Sequence, residues 1–176
     1  MFRLVAAAAL ALALAAPAVA APAKAPKVSI ASFTQLKTPL PYPYDEKADA
    51  NSKAVDAKVA AAKAKAKASG KLLLIDLGGN WCGDCRILTA VMDLPEVKRF
   101  VDSHYEVVLV DVGRFDRNLQ VPAHYGVTDP LEGVPALLVV DPRTDRLLNA
   151  GQVTALADAR TMSPQGLADW LARWVK

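Results

Sequence analysis

The sequence predicts one α/β domain with a mixed central sheet flanked by helices. Two continuous apolar runs, "LLLIDL" and "YEVVLVDV", fit buried central strands. Helical spacings precede, separate and follow them. Two further apolar stretches, 133–141 and 146–151, are joined so briefly that antiparallel pairing is expected. With 176 residues the chain can bury one sizeable core.

The opening "MFRLVAAAALALALAAPAVA" stands apart from that domain. Arg3 supplies a positive start, Leu4 to Ala16 an apolar run, and Ala18-Val19-Ala20 a small-residue cleavage site. This is the pattern of a signal peptide, residues 1–20, cut after Ala20. The run is shorter than the ~20 apolar residues a spanning helix needs, and Pro17 interrupts its end. No cysteine follows it to take a lipid anchor. The mature protein is expected to be exported, periplasmic or secreted, with no stable membrane insertion after cleavage.

Residues 21–44 are rich in proline and lack a helical period, so they read as an extended leader along the surface of a domain spanning 45–176. Tyr42 and Tyr44 are expected to pack there. A helix follows from Asp45 to Ser69, with Asp45, Glu46 and Asp49 at its start and lysines toward its end, as the helix dipole favours. Gly70 is its natural C-cap, and Val55, Val59 and Ala62 give it a thin face for docking on a sheet.

A strand over 71–77, its apolar run broken only by Asp76, ends at Gly78-Gly79. Cys85, Leu88, Thr89 and Met92 then repeat at helical spacing. Asp93 to Pro95 interrupts this helix, and Glu96 to Ser103 resumes it with Val97, Phe100 and Val101 on one side. The second strand, 105–112, leads through Gly113 to a short helix from Arg117 to Tyr125. Past the antiparallel pair, Ser163 caps a terminal helix with Pro164 at its first position. Leu167, Trp170, Leu171 and Trp174 form its core face.

Charge excludes little but directs attention elsewhere. Lys and Arg total 21 against 18 Asp and Glu, and losing Arg3 brings the two closer still. A sequence pI of 8.9 then gives little support to nucleic-acid binding, which shows a clustered basic face. The lysines at 53, 58, 63, 65 and 67 read as a solvated helix face.

Both cysteines lie in "GGNWCGDCR", residues 78–86. An oxidising compartment allows them one intramolecular bridge. As a staple that bridge would do little, because stabilisation grows with the length of the closed loop. A closed zinc site generally takes four ligands, and His104 and His124 sit in no ligand-spaced motif. No metal is assigned, although a two-thiolate copper(I) site stays open. A redox pair explains more residues. The mouth of a helix favours a thiolate on Cys82, and Cys85, one turn behind, can attack a mixed disulfide and release the partner.

Together, the strand "LLLID", the motif "WCGDCR" opening a helix, and Val134-Pro135 opening "PALLVV" resemble the thioredoxin superfamily over roughly residues 45–176. An exported thioredoxin-like protein is the nearest kind. The resemblance implies the thioredoxin fold and gives several residues roles. Trp81 matches the tryptophan that shields the disulfide and contacts partners. Asp76 matches the buried aspartate that moves a proton to and from the resolving cysteine, and its apolar strand should raise its pKa. Pro135 matches the family's cis-proline, which faces the cysteines and leaves the backbone of Val134 free to pair with an extended substrate. No cofactor is implied, since the electrons reside in the cysteines.

The departures from the family pattern are equally specific. Asp84 stands where the usual motif has proline. A carboxylate beside Cys82 makes a thiolate harder to form, and Arg86 partly offsets it. Gly83, Asp84 and Arg86 are therefore the redox-tuning candidates, and they favour the poise of a reductase. An aspartate in a first helical turn also suits the dipole with no redox role, and both readings stay open. Val107 stands where thioredoxins often carry a lysine paired with the buried aspartate, leaving Asp76 less stabilised as an anion. The stretches 126–135 and 152–163 are longer than in minimal thioredoxins, flank the expected active face, and bear on partner choice.

The function expected is thiol–disulfide exchange that reduces disulfides of exported proteins, recharged by a separate redox partner. A disulfide oxidase or isomerase, and a non-catalytic thioredoxin-fold module that holds a partner or copper(I), are the alternatives.

Overall fold

The computed structural model describes residues 23–128 and 130–176. The expected signal peptide, 1–20, lies outside the described residues. Strand β1 (Leu72–Gly78) pairs parallel with β2 (Tyr105–Asp111) and antiparallel with β3 (Ala136–Asp141). The short β4 (Arg146–Leu147) extends the sheet antiparallel beyond β3, in the order β2-β1-β3-β4. This is the mixed sheet the sequence predicted. Because β1 is paired on both edges and covered on both faces, it reads as an apolar run broken only by Asp76, without the alternation of a half-exposed strand.

Helix α1 (Ser52–Ser69) covers one face of the sheet. Val55 and Ala66 are buried against Leu73, Ile75 and Leu77, and Val59 and Ala62 pack beside them. The other face is covered by α2 (Gly83–Met92), α3 (Pro95–His104) and α5 (Pro164–Ala172). Their Leu88, Val91, Val97, Val101, Leu167 and Leu171 close on Leu74, Leu137 and Val139. The five-residue α4 (Gln120–His124) adds Val121 to the first cluster. Among the described residues no helix is long and apolar enough to cross a membrane.

Three elements are shorter than the sequence suggested, and in each a side chain takes over the backbone's bonding. The first helix begins at Ser52, because the Asn51 carboxamide oxygen accepts the N–H groups of Lys53 and Ala54. Asp49, expected inside that helix, is instead buried before it. It pairs with Lys58 and accepts the Asp111 N–H at 2.8 Å. The helix expected over 117–125 starts only at Gln120. Phe115 and Asn118 take positive φ (66° and 55°), and the Asn118 carboxamide donates to the carbonyls of Asp49 and Asp111 at 2.8 and 2.7 Å. The last strand stops at Leu147. Past it Asn149 pairs with β3 through its side chain, accepting from the Val139 N–H at 2.9 Å and donating to the Leu137 carbonyl at 2.8 Å.

From Ala23 the leader runs along the domain and is bonded to it. Val28, Ile30, Phe33, Leu36 and Leu40 pack on the cluster under α5. The Val28 N–H donates to Gln165 Oε1 at 3.0 Å, and Gln165 Nε2 donates to the Pro26 carbonyl at 3.0 Å. The Ser29 N–H donates to Glu96 Oε1 at 2.7 Å.

Asn149→Ala removes both side-chain bonds and strands a buried N–H and a buried carbonyl on β3. The expected cost is about 2–3 kcal/mol. It should show as a lower urea midpoint at unchanged slope.

Candidate active site

Beyond Gly78 the chain turns through Gly79, Asn80 and Trp81 into α2. Cys82 is the N-cap of that helix, its backbone extended (φ −85°, ψ 113°), and its Sγ accepts the Cys85 N–H at 3.1 Å. The first sulfur therefore sits where unpaired N–H groups and the helix dipole favour negative charge. The two cysteines are joined as a disulfide, with Cα atoms 5.3 Å apart. Cys85 is wholly buried, and Cys82 retains 5% exposure.

Opposite the disulfide stands the start of β3. The Val134–Pro135 peptide bond is cis, and Cys82 Sγ lies 3.3 Å from the Val134 carbonyl oxygen. Trp81 is 41% exposed beside the pair. Its indole N–H donates to the Gly113 carbonyl at 2.6 Å, its ring meets Phe115 edge-on, and the Arg114 guanidinium lies 4.8 Å over it. An open groove of about 450 Å³ surrounds Cys82, lined by Trp81, Phe115, Glu132, Val134, Ala157 and Arg160. Both long segments singled out in the sequence thus supply walls of the same groove.

Charge around the pair differs from the sequence reading in one respect. Asp84, in the first turn of α2 with Gly83, is buried and does pair with an arginine, but that arginine is Arg160. The Asp84 carboxylate accepts from Arg160 Nη2 at 2.6 Å, from its Nε at 3.0 Å and from its backbone N–H at 2.8 Å. Arg86 points the other way. Its Nε and Nη2 donate to the carbonyls of Pro41 and Leu40 at 2.9 and 2.7 Å, and the guanidinium stacks on Tyr42. Arg86 therefore anchors the leader and does not offset Asp84.

Asp76 is wholly buried at the middle of β1, between Leu109 of β2 and Leu137 of β3 in register. Burial raises its pKa to about 7, against a weaker opposing pull from a hydrogen bond. The donor is Tyr44, whose hydroxyl gives to Asp76 Oδ1 at 2.9 Å. Asp76 Oδ2 is buried without a partner. Tyr44 packs against the domain so closely that it is buried in the core, while Tyr42 remains exposed. Val107, the expected site of a missing lysine, pairs with Leu74, two residues before Asp76. Gly78 explains the closeness of this arrangement. A Cβ there would overlap the Tyr44 hydroxyl and lie 2.9 Å from Cys85 Sγ.

Tyr44 and Arg160 are the two site residues that sequence reasoning missed. Neither falls in a motif, and both arrive from segments distant in the chain. Among the described residues no group of three or more His, Cys, Asp or Glu is placed to hold a metal ion.

With this geometry in view, comparisons with known proteins are specific. The thioredoxin-like family profile matches residues 54–142. A disulphide isomerase from Xylella fastidiosa Temecula1 shares 40% identity over 76% of this chain and 96% of its own, with a TM-score of 0.65. A Pseudomonas aeruginosa protein of unknown function shares 21% identity over 66% of this chain and 81% of its own, with a TM-score of 0.37.

The raised pKa of Asp76 has a direct consequence for stability. Between 3.8 and about 7 the folded protein holds this proton more tightly than the unfolded chain does. Stability from this group is therefore fully present at low pH and is lost as pH rises toward neutrality. In Asp76→Asn that loss should disappear. Denaturant midpoints of the oxidised proteins should diverge across this window, the variant gaining roughly 2–4 kcal/mol, and should run parallel below it.

Proposed function

Because the chain belongs to the thioredoxin-like family, and is a thiol–disulfide oxidoreductase at that level, we propose that it reduces disulfides of exported proteins through Cys82 and Cys85. The observation that carries this reading is the placement of Cys82 Sγ at the head of α2, on an open groove and 3.3 Å from the Val134 carbonyl. In the reduced protein the Cys82 thiolate attacks one sulfur of a substrate disulfide. A mixed disulfide forms, and the first substrate sulfur leaves as a thiolate that takes a proton from solvent.

Cys85 then loses its proton to Asp76, and its thiolate attacks Cys82 Sγ. The mixed disulfide breaks, the second substrate thiolate leaves and is protonated, and Cys82–Cys85 is left oxidised. Two electrons have passed to the substrate, and a second dithiol partner must return them. Trp81, Val134 and Pro135 form the surface on which a substrate strand is held, and Gly83 lines the same groove, where a Cβ would crowd Arg160. The Asp84–Arg160 pair sets the charge beside the attacking sulfur. A periplasmic or secreted site of action is supported by the signal-peptide pattern at the N-terminus.

The Xylella relative favours a second reading, in which the same exchange rearranges disulfides without net reduction. Both readings are tested together. Reduced protein should cleave the disulfides of a two-chain substrate with matching oxidation of its own cysteines. Cys82→Ser should abolish this, and Cys85→Ser should accumulate the substrate-linked adduct on Cys82. An intact substrate and no adduct would overturn the proposal. Recovery of native pairing in a scrambled substrate, at constant total thiol, would select isomerisation.

A further inference from the structure

Tyr44 belongs to the leader, yet it is built into the site as firmly as the cysteines. Asn80, two residues before Cys82, accepts the Tyr44 N–H at 3.1 Å and donates to the Tyr44 carbonyl at 2.8 Å. Arg86, directly after Cys85, holds the carbonyls of Leu40 and Pro41. The segment that carries the redox pair therefore grips the segment that carries Tyr44, on both sides of the motif.

The hydroxyl so placed does one thing to Asp76. It occupies Oδ1 at 2.9 Å and leaves Oδ2 buried and unpartnered. Alternation along β1 puts Asp76 and Gly78 on the same face, and the space a side chain at Gly78 would fill is bordered by both the Tyr44 hydroxyl and Cys85 Sγ. We propose that Tyr44 is a positioning residue that holds one oxygen of Asp76 so that the other is the acceptor for the Cys85 proton. This rests on the exchange reaction proposed above.

The step is simple in its balance. The Cys85 S–H bond breaks, its proton passes to Asp76 Oδ2, and the electron pair left on sulfur forms the bond to Cys82 Sγ as the bond to the substrate sulfur breaks. The departing thiolate takes its proton from solvent, and Asp76 later returns its own. Tyr44 keeps its proton throughout, because burial and the neighbouring Asp76 and Asp111 hold its pKa well above the usual phenol value. The other residues flanking Asp76 in the sheet, Leu109 and Leu137, are apolar. Tyr44 is thus the neutral donor that steadies the carboxylate against its burial. It takes up the work of the lysine that Val107 replaces.

A symmetric aromatic disulfide with a coloured thiolate separates the two chemical steps. Mixed with reduced protein in a stopped-flow instrument, it releases colour once when Cys82 attacks and again when Cys85 resolves. Tyr44→Phe should slow the second release on the order of tenfold at neutral pH, the loss of a hydrogen bond to a charged group. Its second-phase pH profile should move to higher pH, while the first release keeps its rate. In an Asp76→Asn background the same substitution should add nothing. A Tyr44→Phe profile that superimposes on the parent's, equal slowing with and without Asp76, or equal slowing of both phases would each overturn the role assigned to Tyr44. No second release in the parent protein would overturn the exchange function itself, and the role of Tyr44 with it.

Discussion

Burying β1 between two strands and under helices on both faces takes Leu73 to Gly78 out of water, and one of the groups they carry is a carboxyl. An isolated carboxylate in such a place would be prohibitively costly, so the chain must supply a donor or leave the group protonated. It does some of each. One hydrogen bond arrives from Tyr44, and burial lifts the pKa to about 7. The core of the sheet and the proton chemistry beside the disulfide are in this sense one construction. The same desolvation that makes β1 central makes Asp76 able to exchange a proton near neutrality.

A second carboxyl network fixes the position of the exposed aromatic rings. Asp49 accepts the Asp111 N–H, Asp111 accepts the Gly113 N–H at 3.0 Å, and the Gly113 carbonyl takes the Trp81 indole proton. Trp81 can therefore stand partly in solvent without being loose, because its polar end is tied through three residues to the entrance of α1. Asp84 is handled differently, by a guanidinium that is mostly exposed. The side of Cys82 facing solvent thus carries a neutralised pair, and the interior side of Cys85 carries a single titratable acid.

Much of this was legible in the sequence, because local chemistry dictated it. A short apolar run that ends at a glycine pair fits a doubly covered strand, and a C-x-x-C after such a strand falls at a helix mouth. Asp76 is conspicuous as the sole charge in "LLLIDL". The shortened elements were not legible, since Asn51, Asn118 and Asn149 end or replace backbone pairing through contacts that depend on partners elsewhere. Arg86 and Arg160 show the same limit. Sequence proximity pointed to Arg86 as the charge that offsets Asp84, but the side chain of a helical residue follows its own face, and Arg160 reaches Asp84 across 76 positions of chain. Tyr44 was hidden for a further reason: in "PYPY" nothing distinguishes the exposed ring from the buried one.

The leader's bonds to α5 span almost the whole chain: Val28 and Gln165 are 137 positions apart. Contacts of such separation close very long loops, and the entropy of that closure must be met by the packing and hydrogen bonds the seated leader makes. Synthesis runs from the N-terminus, so the bonds of Pro26 and Val28 to Gln165 must wait until the terminal helix has been made. Tyr44, by contrast, meets Asp76 and Asn80 only 32 and 36 positions along the chain, so the donor to the buried carboxyl does not depend on that helix. The leader is thus fastened twice, near its end to the redox motif and near its beginning to the last helix, and only the second fastening needs the whole chain.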